Sequence, residues 1–321
     1  MDSFLNIITK KDNTMTVKEV FELRKQGRIE EAYDAIRPMY AAHKGHYTTL
    51  AMFWTASDIL KKRIEEKRLG EAGKIFEALM RVLPQIDDRD GKAQGAVLSA
   101  ALRLKEALPG FKMLDFIGDF GVARLTDEDW KNRQSQAGHA LPSTAQRLLT
   151  ACFHEIQGDP TVDNALKVMP LLEEAVRRNR RNKNTQRYMA VVYRIMGEQE
   201  KAAAIYRQLL ARYHDSYLYA ELAALTSEPG PKAALLCRAI QNQRQEKFCV
   251  AYRLSLAKLL VGHDDRRAAY ELQRCLATRQ AEGYHLTREL QSLQSQLSGA
   301  TPATDAQQQD FYRRMIAKFP V

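Results

Sequence analysis

Glycine and proline are scarce in this chain, at 16 and 10 residues of 321. Both residues interrupt regular helices, so their scarcity argues against a protein built mainly from loops and turns. Ala, Leu, Arg, Glu, Gln and Lys dominate instead, and these are strong helix formers. Because 45% of the residues are hydrophobic, there is enough apolar material for a core. The composition predicts a folded, helical protein.

Long apolar runs are also missing. No stretch approaches the ~18 uncharged apolar residues that a membrane-spanning helix needs. The first six residues, MDSFLN, lack the basic segment and apolar core of a secretory signal. We therefore expect a cytoplasmic protein with no membrane partner, in which residues 1–14 form a flexible lead before the first periodic segment.

Cysteine is rare, and no two cysteines have the spacing of a paired motif. Cys152, Cys237, Cys249 and Cys275 form no C-x-x-C motif, and each lies within an apolar helical pattern. This favours buried free thiols in a reducing compartment over metal ligands or disulfides.

Catalytic and cofactor motifs are absent as well. There is no P-loop, G-x-S-x-G or G-x-G-x-x-G. The tripeptide Asp-Phe-Gly at 119–121 lacks the other kinase motifs, so we interpret Phe120 as a packing anchor. The acidic run at 87–90 cannot complete a calcium loop, because the twelfth position is Val97; it should instead supply negative charge to the next helix. We predict no enzyme, cofactor or metal site.

A repeated pattern emerges most clearly between residues 186 and 209. Small residues, bulky residues and a turn glycine recur at helical spacing: Ala190, Tyr193, Gly197, Ala202, Tyr206 and Leu209. This resembles the tetratricopeptide pattern W-x-x-L-G-x-x-Y…A-x-x-x-F, with Gln186 in place of the tryptophan. Two short helices that cross closely need a small residue at the contact and bulky residues beside it. Glycine supplies the conformation that ends the first helix.

The alanine of the second helix recurs along the chain, at Ala32, Ala72, Ala202, Ala233 and Ala268. Within the two clusters the gaps are 40, 31 and 35 residues, around the family period of 34. The resemblance covers residues 17–84 and 183–276. It implies an all-α fold, a right-handed α-solenoid of helix-turn-helix repeats whose first helices line a groove.

The remaining segments are also helical in pattern. We expect helices over 92–107, 141–157 with Ser143 as N-cap, 162–178, 281–297 as a polar capping helix, and 306–319. The predicted organisation is an N-terminal array at 15–107, an irregular insertion at 108–140, a C-terminal array at 141–298, and a hinge with a terminal helix at 299–321.

Charge is concentrated in one place. The formal net charge is +10, and the segment 175–197 holds seven cations with no acid. These cations are either a solvated helix end or a patch that meets an anionic partner. In the second case we expect contact through Arg180, Arg181, Lys183, Arg187, Arg194 and Arg253. The resemblance places Arg187 and Arg194 in the groove, with Arg253 at the position of Arg187 in the last repeat.

Two functions fit these patterns. The first is a non-enzymatic scaffold that binds another protein or peptide in the groove. The alternative is a nucleic-acid-associated protein that uses the basic 177–194 cluster. The middle of the chain, FIGDFGVARLTDEDW at 116–130 and LPSTAQR at 141–147, is similar to helical-repeat proteins of bacterial genome-conflict operons. That similarity implies a partner encoded nearby, of a kind that can act on nucleic acid, in a bacterial conflict or defence system.

The repeat register makes one prediction about packing. If Ala202 lies where two helices touch, Ala202→Leu overpacks the contact and lowers the free energy of unfolding by about 1–3 kcal/mol. Urea denaturation of the wild type and the variant measures this difference. Unchanged stability in a folded variant would show that the register is wrong.

Overall fold

The computed structural model describes residues 15–88 and 90–320. The predicted lead at 1–14 lies outside them. The described residues form seventeen α-helices and one pair of two-residue strands, so the predicted all-α class is confirmed. The chain divides into two compact units between Leu171 and Leu172.

Unit 1 begins with two helical hairpins and continues through shorter helices. Its elements are α1 (Val17–Lys25), α2 (Ile29–Ala42), α3 (His46–Glu65), α4 (Leu69–Val82), α5 (Lys92–Ala107), α6 (Met113–Phe120), α7 (Asp127–Trp130), β1 (Arg133–Gln134), β2 (Ala140–Leu141) and α8 (Thr144–Gly158). The strands pair antiparallel. Helix α9 (Val162–Arg178) spans the division between the units.

Unit 2 contains three successive hairpins and two further helices. Its elements are α10 (Lys183–Ile195), α11 (Gln199–Leu210), α12 (Ser216–Leu225), α13 (Pro229–Gln241), α14 (Val250–Leu260), α15 (Asp265–Ala281), α16 (Arg288–Gln296) and α17 (Asp305–Lys318). Each hairpin packs on the next, and α17 returns to pack on α13. The single helix predicted at 281–297 is wrong, because Gly283 adopts a φ of +70° and the chain turns between α15 and α16.

The predicted alanine register is confirmed. All five alanines lie on the second helix of a hairpin and are at most 4% exposed: Ala32, Ala72, Ala202, Ala233 and Ala268. A methyl group is the largest side chain that a close crossing of two helices accommodates without displacement. The bulky Tyr206, one turn beyond Ala202, is also fully buried. Small and large side chains thus alternate at the helix contact, as the spacing indicates.

The predicted insertion, 108–140, contains α6, α7, β1 and the first residue of β2 within unit 1. Glu155 on α8 accepts hydrogen bonds from the backbone N–H groups of Met113 (2.7 Å) and Leu114 (3.0 Å), at the start of α6. The same carboxylate pairs with Lys105 on α5. Phe120 is buried at the end of α6, so its predicted role as an anchor is confirmed. One glutamate therefore fixes α6 against α5 and α8.

Two predicted helix caps are present. Ser143 and Gln146 form a capping box at the start of α8, in which the serine hydroxyl accepts from the Gln146 N–H at 3.1 Å. Asp88 accepts from the N–H groups of Ala93 (3.1 Å) and Gln94 (2.8 Å) at the start of α5. The acidic run before α5 therefore places negative charge at the start of that helix, as expected.

Four of the five hairpin turns, including those after α1, α3 and α10, have a left-handed residue two positions after the end of the first helix. Gly27 follows α1 and Gly197 follows α10, with φ of +75° and +82°. The corresponding residue after α3 is Lys67, at φ +60°. Side chains with a Cβ adopt this region at a cost that glycine avoids. The second hairpin therefore keeps the turn of its neighbours with a residue poorly suited to it.

We expect Lys67→Gly to raise the free energy of unfolding by about 0.5–1 kcal/mol, because relief of the left-handed strain outweighs the added freedom of the unfolded chain. Gly197→Lys is the matched reverse change, since a Cβ there meets no other atom within 4 Å. It should lower stability through the backbone alone. Urea denaturation tests both, and a loss of stability in Lys67→Gly would contradict the prediction.

Candidate functional site

Three cations lie along one face of α10. Lys183, Arg187 and Arg194 are four and seven residues apart, spacings that return to the same side of a helix. Asn182 starts the helix, and its side chain accepts a hydrogen bond from the Thr185 N–H at 3.0 Å. We call these three cations the α10 face.

Two of the three cations pair with acids of the following hairpin. Lys183 Nζ lies 3.0 Å from Asp215 Oδ2. The Arg187 guanidinium binds Glu221 on α12, with its Nε 3.0 Å from Oε1 and 3.1 Å from Oε2. Burial lowers the pKa of Arg187, but its hydrogen bonds to Glu221 and the Coulombic attraction of that carboxylate together outweigh burial, so the pKa is raised. Acids of the next repeat, outside the basic segment, therefore neutralise Lys183 and Arg187.

Tyrosines complete this surface. The Tyr217 ring lies 4.7 Å from the Arg187 guanidinium and 5.9 Å from Lys183 Nζ, and the Tyr213 ring lies 5.2 Å from Lys183 Nζ. Both tyrosines are half-buried. Neither tyrosine was predicted as part of the surface, because both belong to the next repeat. Their positions, 30 residues after Lys183 and Arg187, were the available signal.

The other predicted cations are distributed differently. Arg180 and Arg181 are exposed in the turn before α10, and Arg194 is exposed near its end. None of these three forms an ion pair within residues 15–88 and 90–320. A 13-residue helix is roughly 20 Å long, so Arg194 and the Arg180–Arg181 pair lie at opposite ends of α10.

Farther upstream, Arg177 and Arg178 both bind Glu174. The Arg177 hydrogen bonds, with those of Arg178, lower the pKa of Glu174 to about 2. Glu174 on α9 thus neutralises part of the positive charge of the basic segment.

Arg253 lies in the core rather than on a binding surface. It is only 6% exposed, and its guanidinium binds Glu246 at 2.5 Å and Glu271 at 2.7 Å. Glu271 is fully buried and also accepts from Tyr312 and Gln308 of α17. Burial raises the pKa of Glu271, and Arg253 opposes that rise. The terminal helix therefore covers Arg253, and we leave it out of the candidate surface.

Unit 1 contains a comparable pair. Arg24 on α1 binds Asp58 on α3, with Nε 2.7 Å from Oδ2. The two residues are 34 positions apart, as are Arg187 and Glu221. An arginine on one first helix thus bonds an acid on the next first helix in both units. This recurrence assigns the paired cations a structural role in stacking the repeats.

Other chemistry is sparse in the described part of the chain. It holds no group of three or more His, Cys, Asp or Glu residues arranged to bind a metal ion. The four cysteines are free and buried. Burial raises the pKa of Cys249 to about 11, and it raises those of Cys152 and Cys237 further, which suppresses thiolate chemistry. None of the described helices has the length and apolar character needed to cross a membrane.

Comparison with known proteins gives little about function. A family described as a domain of unknown function (DUF7017) matches residues 185–318, which is less than half of the chain. No curated protein matches. A solved tetratricopeptide repeat protein from Parabacteroides merdae is similar at 12% identity and a TM-score of 0.37, over 88% of this chain and 97% of that chain. The helical-repeat description rests on the hairpins themselves.

The buried position of Arg253 generates a stability prediction. Arg253→Met leaves the Glu271 carboxylate buried without its cation, so we expect it to cost about 3–5 kcal/mol. The double change Arg253→Met with Glu271→Leu removes both charges and should recover much of that loss. Urea denaturation of both variants measures the difference, and equal losses would show that the pair does not determine the stability of this region.

Proposed function

We propose that this chain is a non-enzymatic helical-repeat scaffold that binds another protein or a peptide through the surface of α10 and α12. The observation that carries the proposal is the arrangement of Tyr217 beside Arg187, with Arg194 open on the same helix face. Tyrosine and arginine are the residues most enriched at the energetic centres of protein interfaces. The tetratricopeptide-like pattern supports a scaffold role, because repeats of this kind expose successive first helices along one surface.

The surface is also pre-organised. Glu221 holds the Arg187 guanidinium at two hydrogen-bond distances, and Tyr217 packs against it. Asp215 holds Lys183 in the same way. Side chains that are already fixed lose little conformational freedom on binding, so more of the interaction energy appears as affinity. Arginines in a flexible patch would lose more conformational freedom on binding, so less of their interaction energy would appear as affinity.

The alternative is nucleic-acid binding by the basic 177–194 cluster, in a protein of a bacterial conflict or defence system. The observation that favours it is the exposed pair Arg180–Arg181. Four cations of the cluster already bind carboxylates, namely Arg177, Arg178, Lys183 and Arg187. Three remain for phosphate contacts, which corresponds to a slope of log K against log salt of about −2 to −3.

The test is a triple charge reversal, Arg180→Glu, Arg181→Glu and Arg194→Glu, compared with the wild type in affinity capture from native lysate with and without nuclease. We expect the variant to lose its protein partners, and the wild type to retain them after nuclease treatment. Arg187 is left unchanged, because a glutamate there would face Glu221 and disturb the fold.

The matched control is Arg207→Glu, which reverses an exposed arginine on α11 of the same hairpin. It should retain every partner. If the folded triple variant also retains every partner, the surface is a solvated helix end. If nuclease removes the partners from the wild type, the nucleic-acid alternative replaces the scaffold.

A further inference from the structure

The positive charge of the chain is concentrated in unit 2. Residues 172–321 contain 24 lysines and arginines against 15 aspartates and glutamates, which accounts for +9 of the net +10. The hairpins of this unit stack on one another, so alternate turns lie at opposite edges of the array. The turns before α10, α12, α14 and α16 share one edge, which we call the basic edge: 179–182, 211–215, 242–249 and 282–287.

Neighbouring turns of the basic edge contact each other. Lys183, the first residue of α10, lies 3.0 Å from Asp215 in the next turn. Asn242 Nδ2, in the third turn, donates to the backbone carbonyl oxygen of His214 at 3.0 Å. The first three turns therefore form one continuous surface rather than separate loops.

Exposed cations recur along this surface once per repeat. Arg181, Arg212 and Arg244 are 31 and 32 residues apart, close to the period of the repeat itself. Arg180 and Lys247 are exposed beside them. Across the described part of the chain, none of these five cations forms an ion pair. They form a row of positive charge that nothing in unit 2 neutralises.

The acids of the basic edge do not cancel this row. Asp215 is bound to Lys183, and Glu246 to the buried Arg253. Only Glu282, in the fourth turn, is an exposed acid. The turns at the opposite edge, 196–198, 226–228, 261–264 and 297–304, contain no lysine or arginine and three acids, Glu198, Glu228 and Asp264. The cations are thus confined to one edge of the unit.

Aromatic rings lie in the same turns as the cations. Phe248 is 54% exposed, and Lys247 Nζ lies 5.3 Å from its ring. Tyr284 in the fourth turn is 47% exposed, with the Arg279 guanidinium 5.7 Å from its ring. Tyr213, half-buried in the second turn, directly follows the row at Arg212. A ring and a cation therefore occur together in three successive turns.

We infer that the basic edge binds single-stranded nucleic acid, with its cations against the phosphates and the rings of Phe248 and Tyr284 stacked on bases. A single strand presents a negative charge and a flat ring in every unit, and the edge presents a partner for each in every repeat. The inference goes beyond the proposed function, because it assigns a second ligand to a surface that meets the α10 face only near Arg180 and Arg181.

The exposed rings favour a single strand over the other polyanions. The base faces of a duplex are stacked on one another inside the helix, where protein rings do not reach them. An acidic protein segment supplies carboxylates for the arginines but no flat faces for Phe248 and Tyr284. Stacking on aromatic side chains contributes to the binding of any base, so this surface needs no sequence preference.

The direct test measures the affinity of the full-length chain for fluorescent oligo(U) and oligo(dT) of about 20 nucleotides by anisotropy over a salt series. Five phosphate contacts predict a slope of log K against log salt of about −3.5 for a single strand. A duplex of the same length should bind about tenfold more weakly. Binding of either strand in this way supports the inference, whereas duplex binding of equal strength overturns it, as does the absence of binding.

The location is tested by reversing the three cations that lie outside the α10 region, Arg212→Glu, Arg244→Glu and Lys247→Glu together. We expect this variant to bind the strand about a hundredfold more weakly and to lower the slope to about −1.4, because two contacts remain. The matched control reverses three cations away from the basic edge, Lys232→Glu, Arg266→Glu and Lys318→Glu, and changes the net charge equally. It should bind within about threefold of the wild type, and an equal loss in the control overturns the assignment to this edge.

Phe248→Ala tests the stacking separately from the charge. It should weaken the single strand about tenfold with the salt slope unchanged, since it removes a ring and no phosphate contact. The Tm should stay the same because the ring is exposed, and Tyr284→Ala should behave alike. If the ring variants bind the strand as the wild type does, and polyglutamate displaces the strand from all of them, the edge is a site for an acidic protein and the inference is wrong.

Discussion

The close crossing of two helices at a buried alanine is the constraint on which the repeats depend. Ala202 and its equivalents let the second helix of each hairpin approach its neighbours, and the bulky residue one turn away fills the space beside the contact. This fixes the rotation of each helix about its own axis. Once that rotation is set, the face of α10 that carries Lys183, Arg187 and Arg194 is also set. The candidate surface is thus a consequence of packing at residues that never reach it.

Charge then adds a second layer of order. The arginine–acid contacts at a separation of 34 residues, Arg24 with Asp58 and Arg187 with Glu221, join successive first helices in each unit. Such pairs contribute modestly to stability when partly exposed, but their geometry fixes how one repeat sits on the next. The same pairing consumes cations that would otherwise attract an anionic partner. The net charge of the chain is therefore larger than the positive charge that the surface presents to a partner.

Sequence patterns predicted the parts of the fold that depend on local spacing. The helix at 92–107, the Ser143 cap and the alanine register follow from residues within one or two turns of each other. The turn between α15 and α16 was missed, because the composition of 281–297 is helical although Gly283 adopts a positive φ and Thr287 caps a new helix. The ion pairs were missed for a different reason. Their acids lie a full repeat away, and the local run of cations conceals them.

Arg253 shows why repeat register alone does not identify a binding residue. By position it corresponds to Arg187, and both donate to carboxylates. Arg187 remains partly exposed because the next first helix only lies beside it, whereas Tyr312 and Gln308 of α17 close over the acid that binds Arg253. The last repeat of an array has no following hairpin, so another element must satisfy its inner surface. Here α17 does so with Tyr312 and Gln308. Arg253, which has the repeat position of Arg187, therefore becomes part of the core.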